Sequence, residues 1–167
     1  MLGFRFSKFD ASTYVIQYQN GQIRREGRGL SFLYYVPNST LVAIPMGSSD
    51  APFMFRETTA DYQTVSIQGQ VTYKIENPVQ LADLLDFTVD GSGKYVSEDH
   101  EKLAQRLVNE AQTTIASVIE NLSLRETIRS SKTLEKQIME GLLNAPAIKM
   151  LGILPLSAHV LGIKSIP

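Results

Sequence analysis

Polar and apolar residues alternate from Gln63 to Glu76, with Val65, Ile67, Val71, Tyr73 and Ile75 on one side and Thr64, Ser66, Gln68, Gln70, Thr72, Lys74 and Glu76 on the other. Period two puts successive side chains on opposite faces of an extended chain. The stretch therefore predicts one long strand of roughly 45 Å, bent or bulged at Gly69. Such a strand needs neighbours on its edges or a helix over its apolar face. Asn77-Pro78 stops it, with Asn77 as a helix N-cap and Pro78 as the first helical residue.

Upstream the pattern stays strand-like. In MLGFRFSKFD, Leu2, Phe4 and Phe6 alternate with small or basic residues. Two readings stand here. One is an edge strand with its apolar side on the core; the other is a peripheral membrane or partner contact made by Leu2, Phe4 and Phe6, with Arg5 and Lys8 facing anionic head groups. Tyr14–Gln19 is a strand by its aromatic and β-branched content. Asn20-Gly21 is a hairpin turn, and Gln22–Glu26 returns antiparallel. Arg24, Arg25 and Arg28 form a small basic patch, read as a solvated strand face. Beyond Gly27 and Gly29, Leu30–Val36 is almost wholly apolar, which implies burial on both faces. Thr40–Ile44 and Phe53–Glu57 are short strands on either side of a breaker-rich segment. The simplest arrangement up to Glu76 is an antiparallel meander of five or six strands.

After Pro78 the period changes to that of helix. Leu81, Leu84 and Leu85 give one apolar face to a short helix. Ser97 then caps a long one, with Glu98, Asp99 and Glu101 in its first turn, where the macrodipole favours anions. Leu103, Leu107, Ala111, Ile115 and Ile119 recur every four residues, which makes one apolar stripe of about 24 Å along the helix. Ser123-Leu-Arg-Glu126 is a capping box. Ser131 or Thr133 opens a further helix whose buried face is Leu134, Ile138 and Leu142, ended by Asn144-Ala-Pro146. Gly152–Pro167 alternates again through Leu154, Leu156, Ala158 and Val160, and predicts a closing strand with an irregularity at Gly162.

Composition narrows the function classes. The 167 residues are 43% hydrophobic and 20% charged, an ordinary globular balance long enough to bury a core. A formal charge of −1 sets up no field that would recruit nucleic acid. The absence of cysteine excludes disulfides, thiolate catalysis and cysteine-based metal sites. The longest apolar run is about five residues, Phe32–Val36, against the ~20 of a membrane helix. With no signal peptide legible, the expected location is cytoplasmic, and the membrane reading of the N-terminal segment would make it peripheral to the membrane. The DGSGK segment lacks both the first glycine and the final Ser/Thr of a phosphate-binding loop. His100 and His159 have no second histidine at ligand spacing, and no nucleophile is set beside a base. The chain is expected to use no cofactor or metal and not to be an enzyme.

In element order the chain resembles the SPFH, or Band 7, domain of stomatins, prohibitins, flotillins and bacterial modulators of a membrane-bound AAA protease. Four segments carry the resemblance over residues 13–167. They are the strand–Asn-Gly–strand opening into GRGLSFLYYVP, then TTADYQTVSIQGQVTYKIENP, the long helix running into LSLRETI, and GILPLSAHVLGIKSIP. The resemblance implies an α+β fold in which a strongly curved antiparallel sheet of about six or seven strands packs against a long helix and several shorter ones. Residues 1–12 would be a separate contact segment. Residues 13–167 would be the domain, strand-rich over 13–76, helix-rich over 78–145 and closed by a strand over 152–167.

The resemblance further implies a non-enzymatic scaffold that assembles into homo-oligomers and organises membrane-associated partners. A regulatory partner of a membrane protease and a cytosolic shell protein like the vault shoulder are the alternatives. Gln68, Gln70 and Lys74, on the polar face of a sheet longer than one helix pair can cover, are the expected self-association residues.

Overall fold

The computed structural model describes residues 3–167, so Leu2 of the N-terminal contact set lies outside the described residues. In chain order the elements are β1 (Phe4–Lys8), β2 (Thr13–Gln19), β3 (Gln22–Arg28), β4 (Ser31–Tyr35), a 3₁₀ turn (Val36–Asn38), β5 (Ser39–Pro45), β6 (Ser49–Thr58), β7 (Thr64–Ile75), α1 (Pro78–Leu84), β8 (Thr88–Val89), α2 (Asp99–Ile119), α3 (Leu124–Ile128), α4 (Ser131–Asn144), α5 (Pro146–Met150) and β9 (Ile153–Ile166). The class is α+β with antiparallel pairing, as expected. Among the described residues nine strands divide among three sheets instead of forming one. The chain forms two compact units, each made of two separate stretches.

The first unit comprises residues 1–47 and 75–102. Its four-stranded sheet runs β3-β2-β5-β8, so the expected meander is broken: β2 lies between β3 and β5, and β4 leaves this sheet to pair with β1. The hairpin at Asn20-Gly21 forms as predicted, both residues having positive φ (53° and 79°), the pattern that fits the twist of the flanking strands. β5 is the doubly buried strand, with Leu41, Val42, Ala43 and Ile44 all inside. β4 is not. Its burial alternates, with Phe32 and Tyr34 inside and Leu33 and Tyr35 out, because it belongs to a ribbon of two strands that packs by one face only. Phe32 and Tyr34 join Val15, Leu41, Ala43 and Val89 in one core cluster. Asn77 caps α1, its side-chain oxygen accepting the Gln80 N–H at 3.2 Å.

The second unit comprises residues 48–74 and 103–167. Its sheet runs β6-β7-β9, and β6 pairs with β7 in unbroken register from Ser49↔Tyr73 to Thr58↔Thr64. β7 keeps its period throughout, with Val65, Ile67, Val71 and Tyr73 buried. Gly69 makes no bulge against β6. A Cβ there would run into the His159 carbonyl oxygen and the Phe53 ring, so glycine serves close approach of β9 and of a core aromatic. Pro52 is tolerated because β6 is an edge strand.

The helical stripes are those the spacing predicts. Leu103, Leu107, Ala111, Ile115 and Ile119 are buried on α2, and Leu134, Ile138 and Leu142 on α4. Each large side chain so buried contributes ~1.5–3 kcal/mol. The capping box of α3 forms, with both reciprocal hydrogen bonds between Ser123 and Glu126. Pro146 ends α4 and also opens α5, since proline fits the first turn of a helix. In β9 the expected face is reversed at the start: Ile153 and Pro155 are buried, Leu156 is exposed, and the parity changes before Ala158 is buried.

Candidate functional site

The β1–β4 ribbon carries the most conspicuous surface of the first unit. Its register is Phe4↔Tyr35, Arg5↔Tyr34, Phe6↔Leu33, Ser7↔Phe32 and Lys8↔Ser31. Directly opposed residues share a face, so the inner face collects Phe32 and Tyr34 and the outer face collects Phe4, Phe6, Leu33 and Tyr35. The inner pair is buried. The outer four are 47%, 64%, 51% and 41% exposed, which makes them one contiguous apolar patch on the ribbon's outer face.

The expectation that the apolar side of the N-terminal strand packs onto the core is therefore corrected. A two-stranded ribbon has one face for the core, and Phe32 and Tyr34 fill it. The Phe4 and Tyr35 rings lean on each other at 5.2 Å between centroids. At the end of the strand the Val36 N–H donates to the Gly3 carbonyl at 2.6 Å. Lys8 stands on the same face as Phe4 and Phe6 and is exposed, so the patch has a cation at one end. Arg5 has the opposite parity but is also exposed, because β1 is the ribbon's free edge. Leu33 and Tyr35 were missed from the sequence, where their apolar run reads as a doubly buried strand.

The basic cluster on β3 is less free than its sequence suggests. The Arg25 guanidinium lies over the Phe32 ring, 4.6 Å from its centroid, while Arg24 and Arg28 are exposed.

Gln68, Gln70 and Lys74 occupy one face of β7, opposite its apolar residues. Gln68 is exposed and the other two are half-buried. Met54, across from Gln68 on β6 and 68% exposed, adds an apolar side chain to that face. The Thr72 hydroxyl donates to Asp50 across the same pair of strands at 2.6 Å.

His100 is occupied structurally. Its ring stacks on Tyr95 at 4.4 Å between centroids, with Nδ1 3.1 Å from the Ser97 carbonyl oxygen. The Tyr95 hydroxyl in turn donates to the Ala43 carbonyl at 2.8 Å. Among the described residues no group of three His, Cys, Asp or Glu side chains could hold a metal ion.

A profile described as SPFH domain / Band 7 family matches residues 8–152, from the last residue of β1 to the residue before β9. The chain belongs to the SPFH, or Band 7, family. Members of the family are generally membrane-associated scaffolds and not enzymes. Among curated proteins, none matches the chain. No helix of this SPFH chain, among the described residues, is long and apolar enough to cross a membrane.

The Thr59-Ala-Asp61 segment of the SPFH domain is a structural hub in the second unit. Thr59 is buried; its hydroxyl donates to the Asp61 carboxylate at 2.5 Å and accepts the Gln63 N–H at 3.0 Å. The same Asp61 oxygen accepts the Leu124 N–H at the start of α3, at 3.0 Å. The Thr59 hydroxyl, followed by the Leu124 N–H, holds the Asp61 carboxyl below the usual aspartate range. The tip of the β6–β7 hairpin is thus tied to a helix N-terminus.

Proposed function

We propose that this SPFH domain is a peripheral, self-associating scaffold that rests on a membrane through the outer face of the β1–β4 ribbon and performs no chemistry of its own. One observation carries the reading: four large apolar side chains, Phe4, Phe6, Leu33 and Tyr35, stand side by side and exposed on the outer ribbon face. Apolar rings at that density gain by entering the boundary between head groups and acyl chains, and flanking cations add attraction to the surface. Self-association uses the polar face of β7 with Gln68, Gln70 and Lys74, where Met54 supplies an apolar centre.

Vesicle flotation of the wild-type chain beside a Phe4→Ser, Phe6→Ser variant tests the membrane reading on neutral and on anionic lipid. The wild type floats with vesicles of at least one kind, and the variant stays at the bottom of the gradient. A wild type that floats with neither kind, or a variant that floats as well as the wild type, overturns the proposal. Sedimentation velocity tests self-association, with Gln68→Glu, Gln70→Glu expected to shift the chain toward monomer. A wild type that is monomeric at every concentration tested would refute it.

A further inference from the structure

We infer that the free edge of the β1–β4 ribbon carries a clamp for anionic lipid head groups, formed by Arg5 laid over the Asp90–Lys94 loop. The inference rests on the membrane reading above and names the lipid chemistry that the same surface selects.

Gly91 is the first observation. Its backbone is not in the left-handed region, which in this loop falls to Gly93 (φ 84°), so the turn does not require glycine at 91. The absence of a side chain at 91 leaves room for Arg5: a Cβ there would occupy the position of its guanidinium, which would have to move aside. A long, flexible side chain from the ribbon edge is thereby seated against loop backbone. A guanidinium so placed presents a planar fork of donors with much of its ordering already done.

The second observation is that the loop's carboxylate is engaged by its own turn and forms no ion pair with Arg5. Asp90 is the loop's carboxylate, and its Oδ1 is taken up internally by the Ser92 N–H at 2.8 Å, the Ser92 hydroxyl at 2.6 Å and the Lys94 N–H at 3.1 Å. The Asp90 N–H also donates to the Lys94 carbonyl, which closes the loop. Asp10, just past the far end of β1, is bound in the same manner by its own turn through Ser12 and Thr13. Arg5 forms no ion pair among the described residues.

A guanidinium seated on loop backbone and without an ion pair, with Lys94 in its loop and Lys8 on the ribbon face, thus stands on the strand that carries Phe4 and Phe6. Rings that enter the acyl boundary bring this edge to the level of the lipid phosphates. Phosphate and carboxylate head groups are the groups an arginine fork recognises in two-point fashion. The membrane this surface selects is therefore an anionic one.

The test is partitioning onto sedimentable vesicles of phosphatidylcholine alone and of phosphatidylcholine mixed with phosphatidylserine. The wild type binds the mixed vesicles more tightly. Arg5→Gln reduces that binding about fivefold, the loss expected for one basic residue at an anionic surface. Gly91→Ala, which displaces the guanidinium without removing it, produces part of the same loss. Neither change alters binding to phosphatidylcholine alone, and Lys136→Gln, an exposed cation on α4, leaves the preference intact. Equal loss from Lys136→Gln, or an undiminished preference in Gly91→Ala with an unchanged melting temperature, overturns the clamp. Equal wild-type binding to both vesicle types overturns the clamp and leaves the membrane reading standing. Failure to bind either type removes the membrane reading and the clamp with it.

Discussion

Phe6→Ser and Phe32→Ser remove the same ring from the two faces of one ribbon and are expected to have opposite consequences. Phe6 is 64% exposed, and a whole phenylalanine side chain offers about 200 Å², so about 130 Å² of ring meets water. At ~25 cal/mol per Å², withdrawing that area into the membrane boundary contributes about 3 kcal/mol, or about a hundredfold in partitioning. Folding gains almost nothing from the same ring, so Phe6→Ser should change stability by no more than ~0.5 kcal/mol. Phe32 is 5% exposed and part of the core cluster, and its replacement should cost ~3–5 kcal/mol of stability. Urea unfolding followed by circular dichroism measures one quantity, and vesicle sedimentation measures the other. If Phe6→Ser destabilised the fold as much as Phe32→Ser, the assignment of ribbon faces would be wrong. If it changed partitioning by less than about threefold, the outer face would not be the lipid contact.

Two further outcomes follow from the second unit. Gly69→Ala places a methyl against the His159 carbonyl and the Phe53 ring and should cost ~1–3 kcal/mol, read as a lower urea midpoint at unchanged slope; wild-type stability in that variant would refute the close approach. Asp61→Asn should be less stable than wild type at neutral pH. Because the folded carboxyl lies below its ordinary value, the stabilisation is complete above the usual aspartate range of about 4 and disappears as pH falls through the folded value. The two melting curves should therefore converge in acid, and a constant gap down to about pH 2 would show that the charge is not used.

Much of the fold was legible because local rules and tertiary structure agree over most of the chain. The four-residue stripe of α2, the Asn77 cap, the Ser123 capping box and the Asn20-Gly21 turn are each set by side chains within a few residues of one another. The misreadings share a cause. An apolar run such as Leu30–Val36 reads the same whether both faces are buried or one is left exposed, and only the distant partner decides. β5 has covers on both sides, whereas β4 has a two-stranded ribbon and one cover. For the same reason Phe4 and Phe6 were visible as a contact, but Leu33 and Tyr35 were not, because their pairing joins positions far apart in the chain. Gly91 was unreadable as well: the side chain seated on it is Arg5, a residue on another element. In β9 the change of parity between Pro155 and Ala158 leaves no mark in composition, since both faces there carry apolar residues.

The chain contains no tryptophan, so Phe6→Trp introduces a single indole at the centre of the outer face. Its emission in the presence of vesicles tests directly whether that face lies on lipid. The account predicts a shift to the blue on vesicle binding and quenching by lipids brominated on their acyl chains. Emission that stays water-like while the protein sediments with the vesicles would contradict it, and would place the membrane contact on some other surface.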